Sequence, residues 1–266
     1  MSEDVVLYER REHTALITLN RPERRNALSP EVFLRLREVW DQFDADADAR
    51  VAVLTGAGDR AFCAGADLKV MNESGGISNF GRGSGAQDEE RPRRRGGFDI
   101  QPRTWKPIIA AINGYAIAGG WWLAQLCDVR IAADDAKLGI SEVKWNLPAG
   151  WVTDLTRIIG MGHALEVVLT GEPISAQRAY EIGFVNRVVP RAELMDAAFA
   201  LADLIAGNGP MSVQMHKEIL YRGYLLSREE GNSGAGHILS RLMTSEDAKE
   251  GPRAFVEKRK PVWKGR

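Results

Sequence analysis

The sequence predicts a mixed α/β protein of 266 residues with a helical C-terminal part. Three observations carry that prediction. Short β-prone runs at Thr14–Leu19, Val51–Leu54, Ile108–Ile112 and Val129–Ala133 alternate with helical or glycine-rich stretches, the pattern of α/β folds. Beyond Trp151 the apolar residues recur almost throughout at helical spacing. A composition of 44% hydrophobic and 27% charged residues lets the chain bury one substantial core. The expected organisation is a core over residues 1–206 and a helical subdomain over residues 207–266.

Bulk chemistry argues against several function classes. A formal net charge of −1 lacks the basic excess of a dedicated nucleic-acid binder. Cys63 and Cys127 lie among apolar or small residues, which points to buried reduced thiols rather than a disulfide framework or a metal site. The opening Met1-Ser-Glu-Asp-Val-Val6 shows no basic segment followed by an apolar one, so a cytoplasmic protein without a membrane partner is expected.

In chain order, Thr14–Leu19 ends at the turn signal Asn20-Arg-Pro22. Ser29-Pro30 offers an N-cap and a proline at the first helical position. Val32, Phe33, Leu36, Val39, Trp40 and Phe43 then share one face, predicting a helix to about Ala45. After Val51–Leu54 comes a glycine-rich passage, Thr55 to Lys69. Gly56-Ala-Gly-Asp-Arg-Ala61 loosely matches a dinucleotide-binding loop. Such a loop opens a long helix and meets an acidic residue about 20 positions on, whereas Gly65 interrupts at once, so no nicotinamide cofactor is expected. Glu73 to Arg103 includes Gly81-Arg-Gly-Ser-Gly85 and sets Arg91, Arg93, Arg94 and Arg95 beside Asp88-Glu-Glu90. It reads as a mobile solvated loop able to serve as a lid.

The stretch from Pro107 to Cys127 carries no charge. Its length would suit a membrane span, but Asn113-Gly114 and Gly119-Gly120 divide it into a buried strand, a tight passage and a helix beginning near Gly119. A helix start of that kind presents free N–H groups where no side chain obstructs approach, a place to hold developing negative charge. Lys137 to Gly150 reads as turn-rich. Within it Glu142 is a lone carboxylate among Ile140, Val143, Trp145 and Leu147, either a paired structural charge or an acid/base with a raised pKa. Helices follow at about Trp151–Ile159, Gly162–Leu169, Ala176–Ile182 and Arg191–Ala206, with a strand at Phe184–Val189. The pattern continues over Val213–Tyr221, Ala235–Met243 and Glu246–Lys258. Ile219, Leu220, Leu225, Leu226, Ile238, Leu239, Leu242 and Met243 form apolar stripes larger than a satellite subdomain needs for itself.

Five segments, Asn20 to Ser29, Gly58 to Lys69, Lys106 to Gly120, Cys127 to Ala133 and Ala254 to Trp263, together resemble the enoyl-CoA hydratase/isomerase (crotonase) superfamily over nearly the whole chain. The resemblance implies a crotonase-like spiral of ββα turns and C-terminal helices that assemble a trimer or a dimer of trimers. It implies an acyl-CoA thioester as ligand, with no metal and no separate cofactor, since coenzyme A arrives as part of the substrate. Backbone N–H groups at the matching positions, Ala64 and Gly119, would form an oxyanion hole for the thioester oxygen. Ala27, Ala66, Asp67 and Leu68 would serve the adenine end, Arg25 would reach a phosphate, and Lys258 of a neighbouring subunit would complete that site.

The same resemblance exposes a departure. Hydratases of the superfamily carry two glutamates; Glu142 matches the second, and Trp122 stands at the first. Hydration needs one group to activate water and another to deliver a proton to C2, so one carboxylate favours an isomerase that moves a proton between C2 and C4. Ser141-Glu-Val-Lys-Trp-Asn-Leu-Pro148 is also similar to hydroxycinnamoyl-CoA hydratase-lyases, in which Trp145 would stack on an aromatic acyl group, although the tyrosine those lyases lead one to expect is not found around Gly234. The expectation is an acyl-CoA-processing enzyme with Glu142 as sole acid/base and isomerisation ahead of hydration. Asp154 is the alternative second acid. The rival of another class is a catalytically impaired thioester-binding protein whose site Trp122 has plugged.

Overall fold

The computed structural model describes residues 4–80 and 100–266. β1 (Val6–Arg11) and β2 (Thr14–Leu19) form an antiparallel hairpin, followed by α1 (Pro30–Ala45). Three strand pairs then repeat one pattern: β3 (Val51–Gly56) with β4 (Ala61–Cys63), β5 (Ile108–Ile112) with β6 (Tyr115–Ile117), and β7 (Val129–Ala133) with β8 (Lys137–Gly139). Helices α2 (Leu68–Glu73) and α3 (Ile77–Phe80) follow the first pair, and α4 (Gly119–Gln125) follows the second. After the third come α5 (Met161–Thr170), β9 (Ile174–Ser175), α6 (Ala176–Glu181) and β10 (Arg187–Val189). The first strand of each pair joins a six-stranded sheet ordered β1-β2-β3-β5-β7-β10, and the second joins a four-stranded sheet ordered β4-β6-β8-β9. Each turn of the chain therefore adds a strand to both sheets and then a helix, which is a spiral of ββα turns.

Burial explains the arrangement. Every residue of β3 and β5 is buried, as continuous apolar runs require in parallel strands covered on both faces. Val53 pairs with Ile109, and Ala111 with Ile131. Each fully buried Val or Ile contributes about 1.5–3 kcal/mol over exposure. α1 covers this core with Val32, Phe33, Leu36, Val39, Trp40 and Phe43, and the Ser29 side chain caps it by accepting from the Val32 N–H. Gly120 decides how α4 lies: a Cβ there would run into the Cys63 carbonyl of β4, so only glycine lets the helix start sit against that strand.

Helices α7 (Leu194–Ala206), α8 (Pro210–Gly223), α9 (Arg228–Met243) and α10 (Asp247–Val256) complete the chain. α8 is tied to the sheet by Lys217, which bonds Asp128 at 2.7 Å, while the same Asp128 oxygen accepts from the Ile108 N–H at 2.7 Å. Among the described residues no helix is long and apolar enough to cross a membrane.

Several expectations change. β1, β4, β6 and β8 are too short, or too mixed in character, to show as periodic runs; their edges are fixed by pairing. The strand expected at Phe184–Val189 shortens to β10 because the Phe184 and Val185 N–H groups both donate to the Ala179 carbonyl of α6, at 2.9 and 3.0 Å, and so close that helix instead of joining the sheet. The helix expected over Trp151–Ile159 is a 3₁₀ helix, Gly150–Arg157. α9 starts seven positions before the expected Ala235, at Arg228, because Ser227 and Glu230 make a reciprocal capping box. The solvated loop expected from Glu73 to Arg103 is replaced at both flanks by core: Phe80 and Ile100 are each 0% exposed, and the Ile100 carbonyl accepts from the Trp40 indole at 3.1 Å. The arginine cluster Arg91 to Arg95 and the glycines Gly81 to Gly85 lie outside the described residues.

Candidate active site

A cavity of about 540 Å³ opens where the β4–α2 link meets the start of α4 and the segment after β8. Its floor is backbone. Leu28 donates to the Gly65 carbonyl at 2.8 Å, and Asp67 donates to the Leu28 carbonyl at 2.9 Å. Leu28 and Ala66 thus form a parallel bridge that uses the neighbours of Ala66 and leaves its own N–H pointing away from Leu28. Across the floor, Ala118 adopts φ 57°, ψ −121° before α4 begins at Gly119. A Cβ built on Gly119 would lie 3.8 Å from the Ala66 nitrogen. Neither the Ala66 nor the Gly119 N–H finds a partner among the described residues.

This geometry corrects one expected donor. The Ala64 N–H donates to the Arg25 carbonyl at 3.0 Å, where Arg25 sits at φ 52° in a left-handed turn. A spent N–H cannot also stabilise an oxyanion. Ala66, expected at the adenine end, instead pairs with Gly119 as the free N–H couple. With seven residues α4 is short, so the open N–H groups of its first turn matter more than its dipole.

Glu142 also borders the cavity. It begins the 3₁₀ turn Glu142–Trp145, is 7% exposed, and its Oε2 has no hydrogen-bond partner among the described residues. Burial pushes the carboxyl up to about 7, opposed only by its own backbone N–H. Of the two readings of Glu142, the structure speaks against the paired structural charge: among the described residues no cation pairs with it, and its Oε2 is unpartnered. Among the described residues it is also the one ionisable side chain bordering the cavity. Asp154 is not there; it is exposed and pairs with Arg157 at 3.2 Å.

Trp122 and Trp145 border the cavity, joined by Trp151. Trp122 and Trp151 lie nearly parallel, their centroids 6.3 Å apart and their planes 14° from each other. The neighbouring Trp121 faces inward instead, 0% exposed and stacked on Phe184 at 4.0 Å. Sequence reading missed Trp151, Ser141 and Met71 on the cavity wall. Trp151 had a signal, an aromatic just beyond Pro148-Ala-Gly, but it was read as a helix residue.

The remaining expected residues separate into two groups. Leu68 borders the cavity and is 44% exposed. Asp67 does not: its carboxylate caps α2 by accepting from the Val70 N–H and bonds Arg21 at 3.1 Å, so it is spent on structure. The Ala27 carbonyl is taken by Arg21 at 2.7 Å. Arg25 is exposed near this edge but not on the wall, and Lys258, beyond α10 at φ 53°, does not border the cavity of its own chain. Among the described residues no cluster of metal-ligating side chains occurs.

Comparison with known proteins fits this geometry. The family model described as enoyl-CoA hydratase/isomerase matches residues 9–266. Enoyl-CoA hydratase EchA19 of Mycobacterium tuberculosis is 41% identical over 262 residues, covering 98% of this chain and 96% of that protein. (E)-benzylidenesuccinyl-CoA hydratase of Thauera aromatica is 41% identical over 257 residues, covering 95% and 96%. A crystal structure of an enoyl-CoA hydratase from Bacillus anthracis superposes with a TM-score of 0.89 at 36% identity, covering 98% of this chain and 100% of the other.

Proposed function

The chain belongs to the enoyl-CoA hydratase/isomerase family, and from that premise we propose that it moves a proton on an enoyl-CoA thioester with Glu142 as its single acid/base. The thioester oxygen accepts from the Ala66 and Gly119 N–H groups. Glu142 takes a proton from C2 of a 3-enoyl-CoA; the electron pair of the broken C–H bond delocalises onto that oxygen as a dienolate. The same carboxyl then returns the proton to C4, giving the 2-enoyl-CoA. Preorganised donors of this kind are worth about 3–4 kcal/mol each. The observation that carries the reading is the lone carboxylate: Glu142, buried and unpaired, faces a cavity in which Trp122 supplies an indole where a second acid would be needed for hydration.

Hydration is the second reading, favoured by the relatives, which are named hydratases. One experiment separates the two and tests the whole. Purified enzyme and Glu142→Gln are assayed on 3-enoyl- and 2-enoyl-CoA. Isomerisation faster than hydration, with both lost by a factor of about 10²–10⁴ in the variant, supports the proposal. Rapid hydration by the wild type overturns the preference for isomerisation, and no turnover of either thioester leaves a binding protein.

The proposal includes self-association as a trimer or a dimer of trimers. Leu220, Leu225, Met243, Phe255 and Val256 are 70–86% exposed on the C-terminal helices and the turn between α8 and α9, an apolar surface that a second copy would cover. Lys258 and Arg25 would then meet the phosphates of coenzyme A across that contact.

A further inference from the structure

The cavity wall combines aliphatic side chains, among them Leu28, Met71 and Ile77, with Glu142 and three indoles, Trp122, Trp145 and Trp151. Trp145 follows Glu142 by three residues in one 3₁₀ turn, a spacing that eclipses side chains on a common face. Trp122 follows Gly119 by three residues on α4, so the same helix side carries a free N–H and an indole. Trp151 completes the wall by lying 14° from parallel with Trp122. Trp122 and Trp151 are both half-buried and both border the cavity.

The wall is held in place from behind. Gln125 is 8% exposed, and its Nε2 donates to the Trp151 carbonyl at 3.1 Å. The helix that carries Trp122 therefore also grips the segment that carries Trp151. A flat wall of this kind distinguishes ligands by shape. An alkyl chain laid on it gains burial alone; a ring laid on it gains burial and the offset-stacked contact of two π-faces.

We infer that the acyl group of the substrate carries a planar, uncharged aryl ring that packs on Trp122, Trp145 and Trp151, and that Gln125 is the positioning residue that keeps Trp151 in this wall. The inference rests on the reading of the cavity as the acyl site of a coenzyme A thioester. The ring is uncharged because a second carboxylate would sit beside Glu142, with no cation bordering the cavity among the described residues.

The test uses the full-length protein and thioesters that cannot react, so binding is read without turnover. 4-Phenylbutanoyl-CoA, 4-cyclohexylbutanoyl-CoA and octanoyl-CoA are titrated calorimetrically. The phenyl and cyclohexyl ligands share a skeleton and differ in flatness. Phenyl is expected to bind roughly three- to tenfold more tightly than cyclohexyl. Trp122→Phe keeps that preference, whereas Trp122→Leu reduces it to about twofold or less. Trp145→Leu does the same at a position 63% exposed, where the fold is little affected. Gln125→Met lowers the phenyl preference, octanoyl-CoA affinity falling by a smaller factor than that of the phenyl thioester; an unchanged phenyl preference removes Gln125 as the positioning residue. Equal or tighter binding of the cyclohexyl or octanoyl thioester by the wild type overturns the inference while leaving the proposed reaction standing. Failure to turn over any enoyl-CoA overturns the reaction and leaves the ring preference standing. Absence of binding by all three overturns both.

Discussion

Ala66 and Gly119 lie so close across the cavity floor that a Cβ on Gly119 would stand 3.8 Å from the Ala66 nitrogen, and neither residue spends its N–H on a partner among the described residues. That independence makes a backbone donor testable by substitution. Proline at position 66 removes the N–H while the bonds that anchor this segment, from Leu28 to Gly65 and from Asp67 to Leu28, use its neighbours. Ala66→Pro is expected to lower kcat by about 10²–10³ and to change the affinity for a saturated acyl-CoA little. Steady-state kinetics together with a binding titration check it; an unchanged kcat would remove Ala66 from the oxyanion site.

The choice between Ala64 and Ala66 shows what the sequence could and could not reveal. The glycine-rich passage marked the right loop, because Gly65 at φ 89° is a conformational requirement written in residue type. Which alanine of that loop carries the free N–H depends on a bridge to Leu28, a partner 38 positions away whose pairing leaves no trace in local pattern. The buried strands β3 and β5 were legible as apolar runs, and α1 as a helical stripe with its cap. β4, β6 and β8, three residues each, were not, since three residues are too few to display a period. Glu142 stood out by being a lone acid among apolar residues. The Asp67 carboxylate is taken up by the cap of α2 and by Arg21, a partner 46 positions away that no local pattern reveals.

Glu142 also sets a pH dependence of stability. Its folded pKa of about 7 lies above the ordinary 4.5, so between those pH values the folded chain binds more protons than the unfolded one. Stability therefore falls as pH rises through that window and levels off above it. The whole effect is at most about 3 kcal/mol. Glu142→Gln, which cannot ionise, is expected to be the more stable protein at pH 8 and nearly equal to the wild type at pH 5, as urea denaturation at the two pH values will show. In the wild type, kcat/KM for proton abstraction should rise with pH to a plateau above about 7; an activity that falls through the same range would mean that the protonated carboxyl does the work.

Trp122→Glu puts a second carboxylate on the cavity wall, one helical turn from Gly119. It removes the stack on Trp151 and leaves space for water, at a stability cost of about 2–3 kcal/mol. Hydration of a short 2-enoyl-CoA is expected to rise at least about tenfold, measured as loss of the conjugated thioester absorbance. If hydration falls instead, the indole itself belongs to the water-handling machinery.

The last prediction concerns the turn that aims Gly119. Ala118 holds φ 57°, ψ −121°, a region in which a side chain costs about 1–3 kcal/mol and which glycine enters freely. The conformation persists because the residue is fixed at both ends: its N–H donates to the Gly139 carbonyl at 2.8 Å, and its carbonyl accepts from the Trp122 N–H at 3.1 Å. Ala118→Gly should keep those bonds, relieve the strain and lose about 0.5–1 kcal/mol to the freer unfolded chain, for a net gain of about 1 kcal/mol in denaturant unfolding. Gly65→Ala is the opposing case. Its Cβ would meet the Ala118 Cβ at 2.8 Å and the Ile117 carbonyl at 2.9 Å, at φ 89°, so it should destabilise strongly and tilt the start of α4 away from Ala66. The two sites touch, and the double variant removes the Cβ–Cβ clash while keeping the clash with Ile117. It should therefore be more stable than the sum of the single changes by about 0.5–3 kcal/mol; strict additivity would mean that Ala118 and Gly65 do not share this contact.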